Sequence, residues 1–148
     1  MAVCCAASFA CGGSSSSNNY AATLAGPNEV PATTSTATGT ATVTVNGATA
    51  NYTVTYSGLS GPPTASHIHV GSSTVAGPVV VPFSGLPTTA SGTFNGSFTS
   101  SDIQPQSTPV VVVTLDDLVN AMKAGNAYVN IHTTANKGGE IRGQLHAQ

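Results

Sequence analysis

The chain has 148 residues, enough for one domain with a single hydrophobic core, and only 5% of them are charged against about 25% in average proteins. Three basic residues cannot neutralise a phosphate backbone, so the composition excludes nucleic acid as a partner. The net charge of −2 gives little self-repulsion, and abundant Thr, Val and Gly without Trp favour an all-β protein that is extracellular or at the cell surface.

The N-terminal segment, residues 1–19, is predicted to be a tail that precedes the folded domain. All three cysteines lie within its first eleven residues, so the rest of the chain is not a disulfide scaffold. Residues 2–10 are typical of the end of a secretory signal, and Ser8-Phe9-Ala10-Cys11 is similar to a bacterial lipobox in which Cys11 is lipidated. No Lys or Arg precedes these residues, so a plain disordered or partner-binding tail is the alternative. A lipid on Cys11 is the only membrane attachment that we expect, since no apolar run approaches about 18 residues.

Short alternating segments follow from Tyr20 onward and predict β-strands. The predicted strands are 20–24, 39–45, 50–56, 67–70, 79–83, 92–99, 127–133 and 140–145. Asn46-Gly47 predicts a hairpin between the second and third strands. Thr114 predicts the cap of one short helix near 115–124, which ends at Gly125. These elements predict an all-β fold for residues 20–148, a Greek-key β-sandwich of the immunoglobulin-like or superoxide-dismutase-like kind.

Three of the four histidines lie on two of the predicted strands. Residues two apart on a strand share a face, so His67 and His69 project together, about 6.5–7 Å apart. His132 shares a face with Tyr128 and Asn130 on a later strand. If the fold brings these faces together, three neutral imidazoles can hold copper or, as the second choice, zinc, with a fourth position left open. The alternative is a set of surface or hydrogen-bonded histidines with a structural role.

Glu140 and Arg142 lie two residues apart on the last predicted strand and therefore project to one face. They predict a structural ion pair that fixes the turn at Gly138-Gly139. A clamp for a carboxylate or a sugar is the alternative. Arg142 is also expected to lie against the histidines and keep them neutral.

Six segments of the chain resemble, in order, the CHRD domain, a family named after chordin, an extracellular antagonist of bone morphogenetic proteins. The segments are LAGPNEVP at 24–31, GL at 58–59, HIHVG at 67–71, GPVV at 77–80, YVNIHT at 128–133 and GGEIRGQL at 138–145. The resemblance runs from about Tyr20 to Gln148. It implies a secreted or cell-surface β-sandwich, in a family of which most members have no established biochemical activity.

The order of the histidines is also similar to that of Cu,Zn superoxide dismutase, another Greek-key sandwich. This distant resemblance implies that His67, His69 and His132 are copper ligands. It does not extend to dismutation, because the sequence has no clear bridging histidine, no zinc-site Asp cluster and no sandwich disulfide.

The sequence shows no nucleophile with a neighbouring base, so we expect a non-enzymatic protein. The leading prediction is an extracellular or cell-surface structural or interaction domain. Its low charge and Thr-rich strands favour self-assembly into a homo-oligomer or polymer, or pairing with a surface partner protein. The alternative is a copper or zinc protein, with redox activity as a third hypothesis.

Overall fold

The structure, a computed structural model, describes residues 18–148. Cys11, with its predicted lipid, and most of the predicted tail lie outside the described residues. Within them are nine strands and one α-helix, α1 (Leu115–Lys123). The strands are β1 (Asn18–Ala25), β2 (Thr38–Asn46), β3 (Thr49–Ser57), β4 (Pro63–Val70), β5 (Val79–Pro82), β6 (Gly92–Thr99), β7 (Ala127–Thr133), β8 (Ile141–Gln144) and β9 (His146–Ala147).

Eight antiparallel strands follow one hydrogen-bonded path, in the order β5-β4-β7-β8-β1-β2-β3-β6, and β9 pairs with β1. This sheet curls into a nearly closed barrel, which confirms the predicted all-β class with one short helix. It differs from the two packed sheets of the predicted sandwich, because β8 and β1 join the two halves. That junction is narrow, with Ala25 opposite Arg142 as its one ladder pair.

The core fills the inside of the curled sheet, where the apolar face of each strand is buried. On β3, Tyr52 and Val54 are buried while Thr53 and Thr55 are exposed, as the alternation predicts. The Tyr52 ring stacks on Phe83 with their centroids 4.0 Å apart. This core orients every strand, because a shift of one residue would turn its apolar face outward.

Local signals in the sequence fix the hairpin and the helix. The chain turns between β2 and β3 at Gly47, whose φ of +58° favours glycine. Thr114 and Asp117 form a reciprocal capping box at the start of α1, and Gly125 with φ +69° follows its end. Among residues 18–148, no helix is long and apolar enough to cross a membrane.

The outer face of strands β4, β7 and β8 is unusually polar and positions the site. Pairing of these strands sets His67 beside Asn130 and His69 beside Tyr128, with Arg142 beside Asn130 on the next strand. The intervening residues of the same strands point into the core. Loop 26–37 donates hydrogen bonds to the backbone oxygens of Glu140 and Arg142, and loop 71–78 accepts hydrogen bonds from the Arg142 side chain. The two loops cover this face, so most of its polar groups are buried.

Candidate metal centre

The three predicted ligands converge at the junction of β4 and β7. Their ring centroids are 5.3 Å apart for His67 and His69, 5.0 Å for His67 and His132, and 6.2 Å for His69 and His132. One nitrogen from each imidazole lies within 4.8 Å of the other two. The fourth histidine, His146, is exposed on β9 and does not belong to this cluster.

Two backbone carbonyls determine which ring nitrogens can bind a metal. His69 Nδ1 is 2.8 Å from the Gly77 oxygen, and His132 Nδ1 is 2.9 Å from the Lys137 oxygen. A carbonyl oxygen only accepts, so each Nδ1 carries the proton and donates it, which leaves a lone pair on each Nε2. Metal-binding histidines are commonly held by such a bond from their other nitrogen.

Two of the remaining ring nitrogens lie within hydrogen-bonding distance of each other, and a third has no partner among the described residues. His67 Nδ1 is 3.2 Å from His132 Nε2 and must donate to it, because His132 Nε2 has no proton. His69 Nε2 is buried and has no partner among the described residues. A metal ion would accept this lone pair and that of His132, and His67 would bind it through Nδ1 once the ring proton had moved from Nδ1 to Nε2.

His67 and His69 are also held in the uncharged form that a metal requires. Burial and the neighbouring histidines lower the pKa of His67 to about 4. Burial, opposed by the bond to Gly77, lowers the pKa of His69 to about 4 as well. His67 and His69 are therefore neutral at pH 7, and neutral imidazole is the ligand form.

The distances between the three ligand nitrogens are somewhat longer than those expected around a bound ion. Bonds of about 2.0–2.1 Å place the ligand nitrogens of a tetrahedral or trigonal site roughly 3.3–3.6 Å apart. The observed limit of 4.8 Å requires the most distant nitrogens to approach each other by roughly 1.2–1.5 Å. His67 and His132 are half-buried, so they can tilt, whereas His69 is only 8% exposed and is fixed.

Tyr128 and Arg142 stack behind the buried ligand. The Tyr128 ring lies parallel to His69, with an interplanar angle of 7° and a centroid distance of 4.9 Å. The Arg142 guanidinium carbon lies 3.3 Å from the Tyr128 centroid. The Tyr128 hydroxyl also donates to the Gly77 oxygen that His69 uses, and accepts from the Gly77 nitrogen. Tyr128 therefore orients His69 through both its ring and its hydroxyl.

Arg142 is 1% exposed, and its guanidinium donates hydrogen bonds to loop 71–78. It donates to the carbonyl oxygens of Val75 at 2.9 Å and Ser72 at 2.7 Å, and to the Gln144 side chain at 3.0 Å. The prediction that Arg142 lies against the histidines is modified, since Tyr128 mediates the contact.

Glu140 is satisfied by a different set of groups. Its carboxylate accepts hydrogen bonds from the side chains of Ser35, Ser60, Thr133 and Asn136 and from the Ser60 nitrogen. Burial would raise the pKa of Glu140, but these bonds lower it to about 2. Among the described contacts, Glu140 and Arg142 take separate partners instead of forming the predicted ion pair. Glu140 does hold together the segments around the turn at Gly138-Gly139.

The model of the CHRD domain family matches residues 20–145. The chain belongs to the CHRD domain family. The match begins within β1 and includes β8, which confirms the resemblance drawn from the six segments. No curated protein and no solved structure matches the chain.

Two polar residues of this CHRD domain were missed as site residues by the sequence reasoning. Glu29 is 6% exposed, and the Asn130 side chain interacts with both Glu29 and His69, lowering the pKa of the first and raising that of the second. Burial nevertheless raises the pKa of Glu29 to about 7, although the charge of Arg142 opposes the shift. Glu29 Oε1 and Asn130 Oδ1 have no partner among the described residues. The position of Glu29 in the segment LAGPNEVP was the signal that could have indicated it.

A cavity of about 790 Å³ lies next to Glu29 and Arg142. Asn28, Glu29, Arg142 and Gln144 are among its lining residues, and the three clustered histidines are not. The cluster therefore meets solvent through the half-buried rings of His67 and His132 and not through this cavity.

Proposed function

We propose that this CHRD domain binds one copper ion through His67, His69 and His132, outside the cell or at its surface. The observation that supports this best is the buried, unpartnered Nε2 of His69, which lies in a cluster of three imidazoles. A buried nitrogen without a hydrogen bond costs about 1–3 kcal/mol, and a bound metal removes that cost. The carbonyls of Gly77 and Lys137 hold the lone pairs in place for it.

Copper is our first choice of metal and zinc the second. Imidazole suits both ions, but divalent copper binds nitrogen sites more tightly than zinc. Structural zinc sites are generally closed by four protein ligands, whereas this cluster offers three imidazoles. The open side would be filled by water or a small ligand. Redox activity would follow only if the bound copper cycles between oxidation states.

The test is copper binding by protein prepared without a histidine tag. Elemental analysis should show about one copper, and after oxidation of the bound ion to copper(II) electron paramagnetic resonance should show nitrogen hyperfine structure. His132→Ala should weaken binding by more than the roughly 10–100-fold loss that follows removal of an outer-shell partner. His146→Ala is the matched control and should bind normally, because His146 is exposed and outside the cluster. Absence of saturable binding, or equal binding by the two variants, would contradict the proposal.

A structural or interaction role at the cell surface is the second candidate function. The strand path ends at β5 and β6, which are not paired with each other. Val111 and Val113 are exposed large apolar residues, at 61% and 50% of their surface. With a net charge of −2, little repulsion opposes contact between copies. These features support a homo-oligomer or a surface partner protein.

Sedimentation analysis over a wide range of concentrations tests the second candidate. We expect association to increase with concentration, and to weaken when Val111 and Val113 are both replaced by Ser. Replacing exposed Thr53 and Thr55 by Ser is the control and should leave association unchanged. A monomer at every concentration would refute self-assembly and leave copper binding untouched.

A further inference from the structure

The chain has three basic residues, and in the fold they differ sharply in environment. Lys123 and Lys137 are exposed, whereas Arg142 is 1% exposed. Burying a cation is costly unless it is well paired. Arg142 is compensated by two loop carbonyls, the Gln144 amide oxygen and the face of Tyr128, all of which are uncharged. Its positive charge is therefore only partly neutralised and acts on its surroundings.

The nearest functional group in that direction is the buried metal ligand. Because Arg142 and His69 both stack on Tyr128, the guanidinium carbon is no more than 8.2 Å from the centre of the His69 ring. In this buried setting water screens the positive charge of Arg142 only weakly. The guanidinium thus disfavours added positive charge at His69.

The positive charge of Arg142 would act in the same way on a copper ion bound by the cluster. The three imidazoles are neutral donors, so the ion keeps its full charge, which is one unit greater for copper(II) than for copper(I). At a separation of about 10 Å in a partly buried setting, one additional unit of charge beside a guanidinium weakens binding by about tenfold. Copper(II) also favours tetragonal coordination, which three ligands do not complete.

We propose that the stack of Tyr128 and Arg142 makes the three-histidine site selective for copper(I) over copper(II). This inference rests on the proposed copper binding and specifies the oxidation state that the site prefers. Glu29 acts in the opposite direction, because its carboxylate offsets the guanidinium when ionised. Burial raises the pKa of Glu29 to about 7, so this carboxyl group is about half ionised near neutral pH and mostly ionised at pH 8.

The experiment measures the dissociation constants of both copper ions at pH 8 by competition with chelators specific for each oxidation state. Copper(I) is titrated under anaerobic, reducing conditions. Arg142→Gln should reduce the preference for copper(I) by about tenfold. Lys123→Gln removes the same charge from the exposed end of α1 and should leave the preference unchanged.

Glu29→Gln keeps the experiment informative if Arg142→Gln does not fold. It removes a carboxylate that is ionised at pH 8, so it should increase the preference for copper(I). If both ions bind and neither variant changes their ratio, the inference is overturned and Arg142 only fixes loop 71–78. If neither ion binds the unmodified protein, the proposed copper binding itself is wrong.

Discussion

At the scale of single residues, two buried glutamates show how local partners decide the state of a carboxyl group. Glu140 accepts five hydrogen bonds, and its pKa is lowered to about 2 although burial alone would raise it. Glu29 has an unpartnered Oε1, and burial raises its pKa to about 7. Both have the same chemistry in the unfolded chain, so their effects on stability must depend on pH with opposite sign.

We predict this opposition from the two substitutions to Gln. The pKa of Glu140 is below its ordinary value of 4.5, so its stabilisation is present above pH 4.5 and is lost as the pH falls towards 2. The pKa of Glu29 is above 4.5, so its contribution is present below pH 4.5 and is lost as the pH rises through about 7. Glu140→Gln should lower the free energy of unfolding at pH 7 by roughly 1–3 kcal/mol, less at pH 3.

Denaturant unfolding at pH 5 and pH 8 measures the Glu29 effect. Relative to the unmodified protein, Glu29→Gln should be more stable at pH 8 than at pH 5. Asp116→Asn, at an exposed position of α1, is the control and should give the same difference at both values. An equal difference at both values for Glu29→Gln would show that its carboxyl group is not shifted by burial.

At the scale of elements, the site depends on one strand pair and one loop. The pairing of β4 with β7 brings the three histidines together, and loop 71–78 supplies the carbonyl that orients His69. The loop passes so close to β4 that a Cβ on Gly77 would overlap the Val70 carbonyl oxygen. Glycine is therefore required at this position by the close approach of two backbones.

Gly77→Ala should displace this loop and loosen His69 and Tyr128 together. We expect copper affinity to fall by about 10–100-fold, as when an outer-shell partner of a ligand is lost. Gly61→Ala is the control, since a Cβ there meets nothing within 4 Å. Copper titration of both variants tests the prediction, and equal affinities would show that the Gly77 carbonyl does not position the ligand.

At the scale of the whole molecule, the sheet consists of two halves that meet along β1, where Ala25 pairs with Arg142 of β8, and Tyr20 and Ala21 pair with β9. The half with β4 and β7 holds the histidines, and the half with β2 and β3 holds most of the aromatic core. Arg142 therefore helps to join the halves through its backbone, and its side chain stacks on Tyr128 behind the histidine cluster.

Much of this arrangement could be predicted from the sequence, because it follows from local patterns. The alternation of apolar and polar residues correctly predicted that Tyr52 and Val54 are buried, and the capping residue Thr114 correctly predicted the start of α1. The two-residue period of a strand correctly predicted that His67 and His69 share a face. The convergence of His132 with them required only that two strands lie side by side.

The rest depends on contacts between distant segments, which no local pattern encodes. Glu140 finds partners more than 70 residues away at Ser35 and Ser60, which spacing to Arg142 could not reveal. In the sequence Glu29 is an isolated carboxylate, and only the folded loop 26–37 buries it next to Asn130. Whether the strands form one sheet or two is decided where β1 meets β8 and β9, through three pairs of residues.

The pairing of β9 with β1 has a mechanical consequence. Tyr20 lies opposite Ala147, so residues 18 and 148, where the described chain begins and ends, lie side by side. A force that separates these two ends would peel β9 from β1 one pair at a time, which needs far less force than sliding whole strands past each other. The two-residue strand β9 would yield first, and the load would not reach β4 and β7 until it had. The histidine cluster is therefore protected from tension applied at residues 18 and 148.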